Sequence, residues 1–335
     1  MKNPTQQRSP ERKGVMWKVL ETARKVTQKS RIVEIDRHAL FRFSSKLMEK
    51  EIEAPHWDRH YHFFDDGATT VAYILVLDTL NFCFWPPPGG EKWEIRYQSR
   101  DLSGYFALAA AIKKALLSGI PVTHPEYLSL LSTRQLREIL GGKGQLQLLH
   151  ERSRALNELG RILIREYDGK AHRLVEAANG SALRLASLLA EKLLSFRDVA
   201  GYSGEEVLFF KRAQIFTADL YCAFGGRSWG YFTDISELTA FADYKLPQVL
   251  RHLGILRYGR GLEQKVDQMI LIHAGSPEEI EIRANTIWAV ELIRQELERM
   301  GRVINACEID WILWNLGQEQ PFRQKPYHRT LTIFY

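Results

Sequence analysis

With 335 residues, 45% of them hydrophobic and 26% charged, the chain has the make-up of a globular protein with a large core rather than of a disordered or fibrous one. The net charge of +6 is dispersed, so it admits an anionic ligand but offers no dense basic tract for a nucleic-acid backbone. Cys83, Cys222 and Cys307 are odd in number and far apart, which excludes zinc spacing; with no apolar leader and no long apolar run, they point to a reducing, cytoplasmic setting.

Residues 1–13 are polar with two prolines and read as a disordered tail. The rest, 14–335, reads as one compact domain with no linker or internal repeat. Gly14 to Gln28 and Ala39 to Ile52 show helical spacing. The stretch "TTVAYILVLDTLNFCFWPPPGG", Thr69 to Gly90, is β-branched and aromatic and ends in three prolines and two glycines, so it reads as a strand. "KWEIRYQS", Lys92 to Ser99, is its expected hairpin partner. Together they predict a small antiparallel sheet over about residues 58–99. In that strand Leu80, Phe82 and Phe84 alternate with Asn81, Cys83 and Trp85. The second face is the polar-bearing one, and an amide there suits reading the edge of a nucleobase.

From residue 103 onward nearly every segment carries helix periodicity with Ser, Asn or Pro before it and Gly after it. The spacing predicts helices over 103–119, 128–142, 148–167, 180–196, 204–224, 246–254, 276–301 and 305–317. The fold class is therefore mainly α, or α+β with a small sheet near the front. In the 204–224 segment, Phe209, Ala213, Phe216 and Leu220 form a core stripe. Lys211, Ile215 and Asp219 run down another face. Lys211 follows two phenylalanines, and a sheltered lysine requires an anion unless its tip reaches solvent. In "NACEIDWILWNLG" Asp310 and Glu308 sit on a helix that is apolar nearly all round, where they need partners or a polar ligand.

The sharpest local feature is "FADYKLPQVLRHLG", Phe241 to Gly254. Pro247 and Gly254 mark a helix start and stop. Asp243 stands between Phe241 and Tyr244 just before that helix. It reads either as a turn acid favoured by the helix N-terminus or as a carboxylate held in an aromatic pocket for chemistry. No phosphate-cradling loop, dinucleotide fingerprint, HExxH or nucleophile elbow is present.

Several stretches taken together are more specific than any one of them. "LDTLNFCFW", "SGYFALAAAIKKALLSGIPVT", "ERSRALNELGRIL", "FFKRAQIFTADL", "DISELTAFADYKLPQVLRHLG", "EIRANTIWAVELI", "EIDWILW" and the terminal "PYHRTLTIFY", in this order, resemble the queuosine salvage protein family, the queuosine-5′-phosphate N-glycosylases. The likeness runs from about Ser30 to Tyr335, loosely before Thr69. It departs in the tail, in "HYHFFDDG" and in the Gly-rich 141–145. It implies a fold like the helix-hairpin-helix DNA glycosylases, decorated by the small sheet, and hydrolysis of the bond joining queuine to ribose 5′-phosphate. It further implies that Asp243 is the catalytic carboxylate and that Lys211 shares its pocket. Around them, Asn81 and Cys83 are expected to line the base pocket, Phe241 and Tyr244 to stack the ring, and Asp310 to accept paired N–H donors of the base. Lys211 and His328 are the expected phosphate contacts. No metal or cofactor is required, and neither a membrane nor a stable nucleic-acid complex is expected. Alternatives are a glycosylase acting on a base within RNA or DNA, and a non-catalytic 7-deazaguanine or nucleotide carrier.

Overall fold

The computed structural model describes residues 15–49 and 57–335. The expected tail 1–13 and the end of the second predicted helix lie outside them. The described chain is mainly helical, with three small two-stranded antiparallel ladders.

α1 (Val15–Lys29) and α2 (Arg37–Met48) flank β1 (Val33–Ile35). α3 (Ala68–Thr79) precedes the hairpin β2 (Glu94–Tyr97) and β3 (Arg100–Ser103). The helical body follows with α4 (Gly104–Leu117), α5 (Pro125–Leu130), α6 (Thr133–Leu140), α7 (Leu149–Tyr167), α8 (Ala171–Glu176) and α9 (Ala182–Lys192). A second hairpin, β4 (Val199–Tyr202) and β5 (Glu205–Leu208), leads into α10 (Lys211–Phe224) and α11 (Lys245–His252). β6 (Leu256–Tyr258) pairs with β1 in the register Glu34 opposite Arg257. α12 (Arg260–Asp267), the long α13 (Pro277–Arg299) and α14 (Ala306–Leu316) close the chain.

The sequence reading is corrected at three places. Thr69–Gly90 is not a strand. Its first half is helix α3 and its second half is irregular. α3 is buried from Val71 onward on nearly every side, so no polar face marks its period, and its β-branched content is outweighed by tertiary burial. Glu94–Tyr97 then pairs with the neighbouring 100–103 instead. The predicted helix 204–224 opens as strand β5 and becomes helical only at Lys211. The segment 128–142 divides at Ser132, which caps α6 through a reciprocal box with Gln135.

Two apolar cores result. One joins α1, α3, α4, α7, α9 and α10; the other joins α2, α11, α12, α13 and α14. The site lies where they meet. The Gly-rich 141–145 is not a loose loop. Gly142 and Gly144 hold φ of +85° and +76°, and a Cβ on them would stand 2.4 Å from the Glu94 carbonyl oxygen and 2.2 Å from that of Lys92. Only glycine lets this loop lie on the β2 backbone. No described helix is long and apolar enough to cross a membrane.

Candidate active site

Asp243 sits at the entry to α11, and its Oδ1 accepts the backbone N–H groups of Lys245 (2.7 Å) and Leu246 (2.9 Å). It is thus the helix-start acid that one reading proposed. It also lines a cavity of about 940 Å³, together with Asn81, Lys211, Phe241, Tyr244 and Asp310. The helix-start role and the cavity position are compatible: the amides occupy Oδ1, while no described group bonds Oδ2. Burial raises the carboxyl above its usual range, against the Lys211 charge and both amides.

The loop carrying Asp243 is pinned on both sides. The Phe241 N–H donates to Asp310 Oδ2 at 2.7 Å. Arg283 Nε donates to the Ala242 carbonyl at 3.0 Å. Arg283 is buried between the rings of Phe209 (3.9 Å) and Tyr335 (4.2 Å). Its two terminal nitrogens grip Asp198 at 2.9 and 2.6 Å. Asp198 Oδ2 also accepts the N–H of Lys211, at 3.3 Å, where α10 begins. One buried ion pair therefore sets Lys211 and Asp243 relative to each other.

Lys211 is only 4% exposed, and its Nζ donates to the Asn81 carbonyl at 3.2 Å. Burial lowers its pKa, and Asp243, Asp78 and Asp310 oppose that. Asn81 is held by two buried arginines rather than by a strand. Arg152 donates to the carbonyls of Leu80, Phe82 and Cys83, and Arg212 to those of Asp78, Thr79 and Ser195. Both guanidiniums lie against the Phe82 ring. These bonds satisfy carbonyls that a ladder would otherwise need to pair, which is why the segment is stable as coil.

At the other end of this wall, Asp219 lines the cavity two turns along α10 from Lys211. His62 Nδ1 lies 2.8 Å from the Asp58 carbonyl, which only accepts, so Nδ1 carries the proton. Burial lowers the His62 pKa to about 4, so Nε2 is a bare acceptor at neutral pH. Tyr105 donates to it at 3.0 Å. The same hydroxyl lies 3.4 Å from Asp219 Oδ2, a longer contact that favours the ionised carboxylate. Burial nonetheless pushes Asp219 up to about 7. Asp78, fully buried beside it with Oδ2 unpaired, is raised further by burial and by the Asp219 charge.

Aromatic rings form the remaining wall. Trp314 meets Tyr105 and Phe106 edge-on at 6.0 and 5.6 Å, and Tyr244 lies 4.8 Å from Tyr327. A flat apolar ring fits between such surfaces.

Of the residues singled out in the sequence, Asn81, Lys211, Phe241, Asp243, Tyr244 and Asp310 meet at the cavity; Cys83 and His328 do not line it. Cys83 packs with Phe82 and Trp85, and its N–H is bonded to the Tyr335 carbonyl at 2.9 Å. Because the segment is not a strand, Asn81 and Cys83 share no face. His328 is 1% exposed, contacts the Tyr335 hydroxyl at 3.2 Å, and is held neutral by burial, which lowers its pKa to about 3. It offers no charge to a phosphate. Asp219, Tyr105, His62, Trp314 and Lys245 were missed; the 211–215–219 face was the available signal for Asp219. Among the described residues no cluster of three or more His, Cys, Asp or Glu is arranged to hold a metal ion.

A sequence profile described as queuosine salvage protein matches residues 60–335. A protein of Sphaerobacter thermophilus named queuosine 5′-phosphate N-glycosylase/hydrolase is 45% identical over 317 residues, covering 95% of this chain and 97% of its own length. Proteins of the same name from Mus musculus and Schizosaccharomyces pombe are 36% and 33% identical, covering 94% and 91% of this chain and 98% and 92% of theirs. The pinned acid loop, the lysine behind it and the aromatic walls thus lie within the matched region, and the chain belongs to the queuosine salvage protein family.

Proposed function

We propose that this protein hydrolyses the N-glycosidic bond of queuosine 5′-phosphate, releasing queuine and ribose 5-phosphate. The observation that carries the reading is Asp243, with Oδ1 fixed by two amides and Oδ2 left for the cavity beside Lys211. As the bond between the anomeric carbon and the base nitrogen breaks, its electron pair leaves with the base and the sugar becomes cationic. A fixed carboxylate in a poorly hydrated pocket stabilises that charge. Water then adds hydroxide to the anomeric carbon, and its proton balances the charge on the departing base. Lys211 and the two amides favour the ionised form of Asp243 against its burial. The base lies against the aromatic wall, within reach of Asn81 and Asp310. A lysine at one helix start facing an aspartate at another across a cleft supports reading the helical body as one domain of the helix-hairpin-helix DNA-glycosylase type.

Asp243→Asn tests this. The asparagine carbonyl still accepts both amides, so the change removes charge with little change of shape. A unit charge about 3.5 Å from the developing cation is worth roughly 5 kcal/mol at an effective dielectric of about 20. The expected fall in kcat is about a thousandfold or more, with queuine binding retained. A kcat within tenfold of the parent would remove Asp243 from the mechanism.

A further inference from the structure

The cavity is electrostatically divided. Lys211, Asp78, Asp219 and Asp310 act on one another. A second set of groups, Lys92, Lys245 and Arg323, comes from three separate segments and lines the same cavity. Arg323 and Lys92 both oppose the charging of Lys245, and Arg323 opposes that of Lys92. None of the three forms an ion pair within 4 Å among the described residues; Glu94, the acid that Lys92 feels, is bridged to Lys143. Lys245 Nζ is steered by Gln248 Oε1 at 2.9 Å and lies 5.6 Å from the centre of the Tyr327 ring. Among the described residues the Arg323 guanidinium donates one hydrogen bond, to Gln318 Oε1 at 3.5 Å. Asp243 is the group that belongs to both sets: it acts on Lys211 and on Lys245.

Lys92 and Arg323 are exposed and Lys245 is half-buried, so water can solvate all three, but cations that face one cavity and are not spent in an ion pair leave their donors free for an anionic ligand. In a nucleoside 5′-monophosphate the anomeric carbon lies between base and phosphate, and Asp243 is likewise the carboxylate that acts on both sets of charges, Lys211 in one and Lys245 in the other. We infer that Lys92, Lys245 and Arg323 form the subsite for the phosphomonoester dianion of the substrate. This rests on the reading of Asp243 as the group facing the anomeric carbon. It replaces Lys211, which is sealed against the Asn81 carbonyl, and His328, which is outside the cavity. The loop 141–145 acquires a purpose, since it fixes the backbone that presents Lys92.

The subsite has a pH signature. Lys245 is lowered to about 8, chiefly by burial and then by Arg323 and Lys92, against Asp243. Tyr327, which it faces, is raised and stays neutral. A phosphomonoester becomes a dianion above about pH 6. Preference for the phosphorylated substrate is therefore greatest between about 6 and 8 and falls as Lys245 loses its proton.

The experiment compares kcat/KM for queuosine 5′-phosphate and for queuosine in the parent and in Lys92→Met, Lys245→Met and Arg323→Gln, from pH 5.5 to 9.5. Calorimetric binding of ribose 5-phosphate and of ribose is measured alongside. The phosphorylated-to-unphosphorylated ratio should fall at least tenfold for Lys245→Met and Arg323→Gln, and its decline near pH 8 should vanish in Lys245→Met. Ribose 5-phosphate binding should weaken in parallel. A ratio unchanged in all three variants, with the parent active, overturns the subsite and leaves the hydrolase reading standing. A parent that binds ribose 5-phosphate through these cations but hydrolyses neither substrate overturns the hydrolase reading and leaves the subsite.

Discussion

Removing the Asp198 carboxylate should damage both stability and catalysis, for reasons that can be separated. Asp198 and Arg283 are 2% exposed each and joined by two contacts of 2.9 and 2.6 Å. Asp198→Ala leaves the guanidinium buried with one weaker acidic partner, Glu279 at 3.3 Å, beside the Ala242 carbonyl. Breaking a buried pair from one side costs about 3–5 kcal/mol. Unfolding entropy near Tm is about 2.1 cal/mol/K per residue, so roughly 0.7 kcal/mol/K for this chain, and Tm should fall by about 4–7 °C. Catalysis should fall too, because Asp198 holds the Lys211 N–H and Arg283 holds the Ala242 carbonyl. A displacement of about 1 Å at the reacting groups is worth on the order of a hundredfold in rate. The control is the double variant Asp198→Leu/Arg283→Met. Two apolar side chains of similar size should recover most of the Tm and none of the kcat. Differential scanning calorimetry and steady-state kinetics on the three proteins decide the matter. A Tm shift under about 1 °C in Asp198→Ala, or full activity in the double variant, would refute the positioning argument.

Asp219→Asn should stabilise the protein in a pH-dependent way. Burial raises the carboxyl to about 7, so its favourable contribution is complete below the unfolded value and is lost as pH rises through 7. The Tm advantage of the variant should therefore be larger at pH 8 than at pH 4, and an advantage independent of pH would refute the protonated assignment. For Asp310, Asp310→Asn keeps an oxygen that accepts the Phe241 N–H and replaces the other by an amide donor. It should retain queuine binding within about tenfold, whereas Asp310→Ala should weaken it at least that much, in keeping with loss of a buried hydrogen-bonding group. Equal affinities of the two variants would show that Asp310 does not meet the base.

How much was legible in the sequence follows from where burial is one-sided. α11, with Pro247 inside it and Gly254 just beyond, and α14, with its Asn305–Glu308 box, carry their own punctuation and are found as expected. α3 has no exposed face, so its period left no trace, and β-branched residues then suggested a strand. The following coil depends on Arg152 and Arg212, which lie 70 and 130 residues away from Phe82 in sequence, so no local pattern announces it. Asp243 was conspicuous because an acid between aromatics breaks local habit. Lys245 was not, because a lysine at a helix start resembles any surface lysine until Lys92 and Arg323 are folded beside it.

The four acids around Lys211 are not four negative charges. Burial lifts Asp78 and Asp310 well above the usual carboxylate range, and each is lifted further by an acidic neighbour, Asp219 for the first and Asp243 for the second. Asp219 is raised as well, by burial, against the Tyr105 hydroxyl and the Lys211 charge. Asp243 is raised less, because Lys211 and two amides favour its ionised form. Negative charge is thus favoured most at Asp243, where an oxocarbenium charge would develop on the proposed reading, and burial is the main cause that disfavours it on the neighbouring acids. Asp310 Oδ2 accepts the Phe241 N–H and burial raises the carboxyl well above its usual range, so on the proposed reading a protonated Oδ1 would meet the base as a donor, where the sequence reading expected a paired acceptor. A 7-deazaguanine lacks the ring nitrogen most readily protonated in guanine. On that reading a neutral carboxylic acid donating to another acceptor of the ring is the form of help such a leaving group can use, and burial first and the Asp243 charge second favour the protonated form of Asp310.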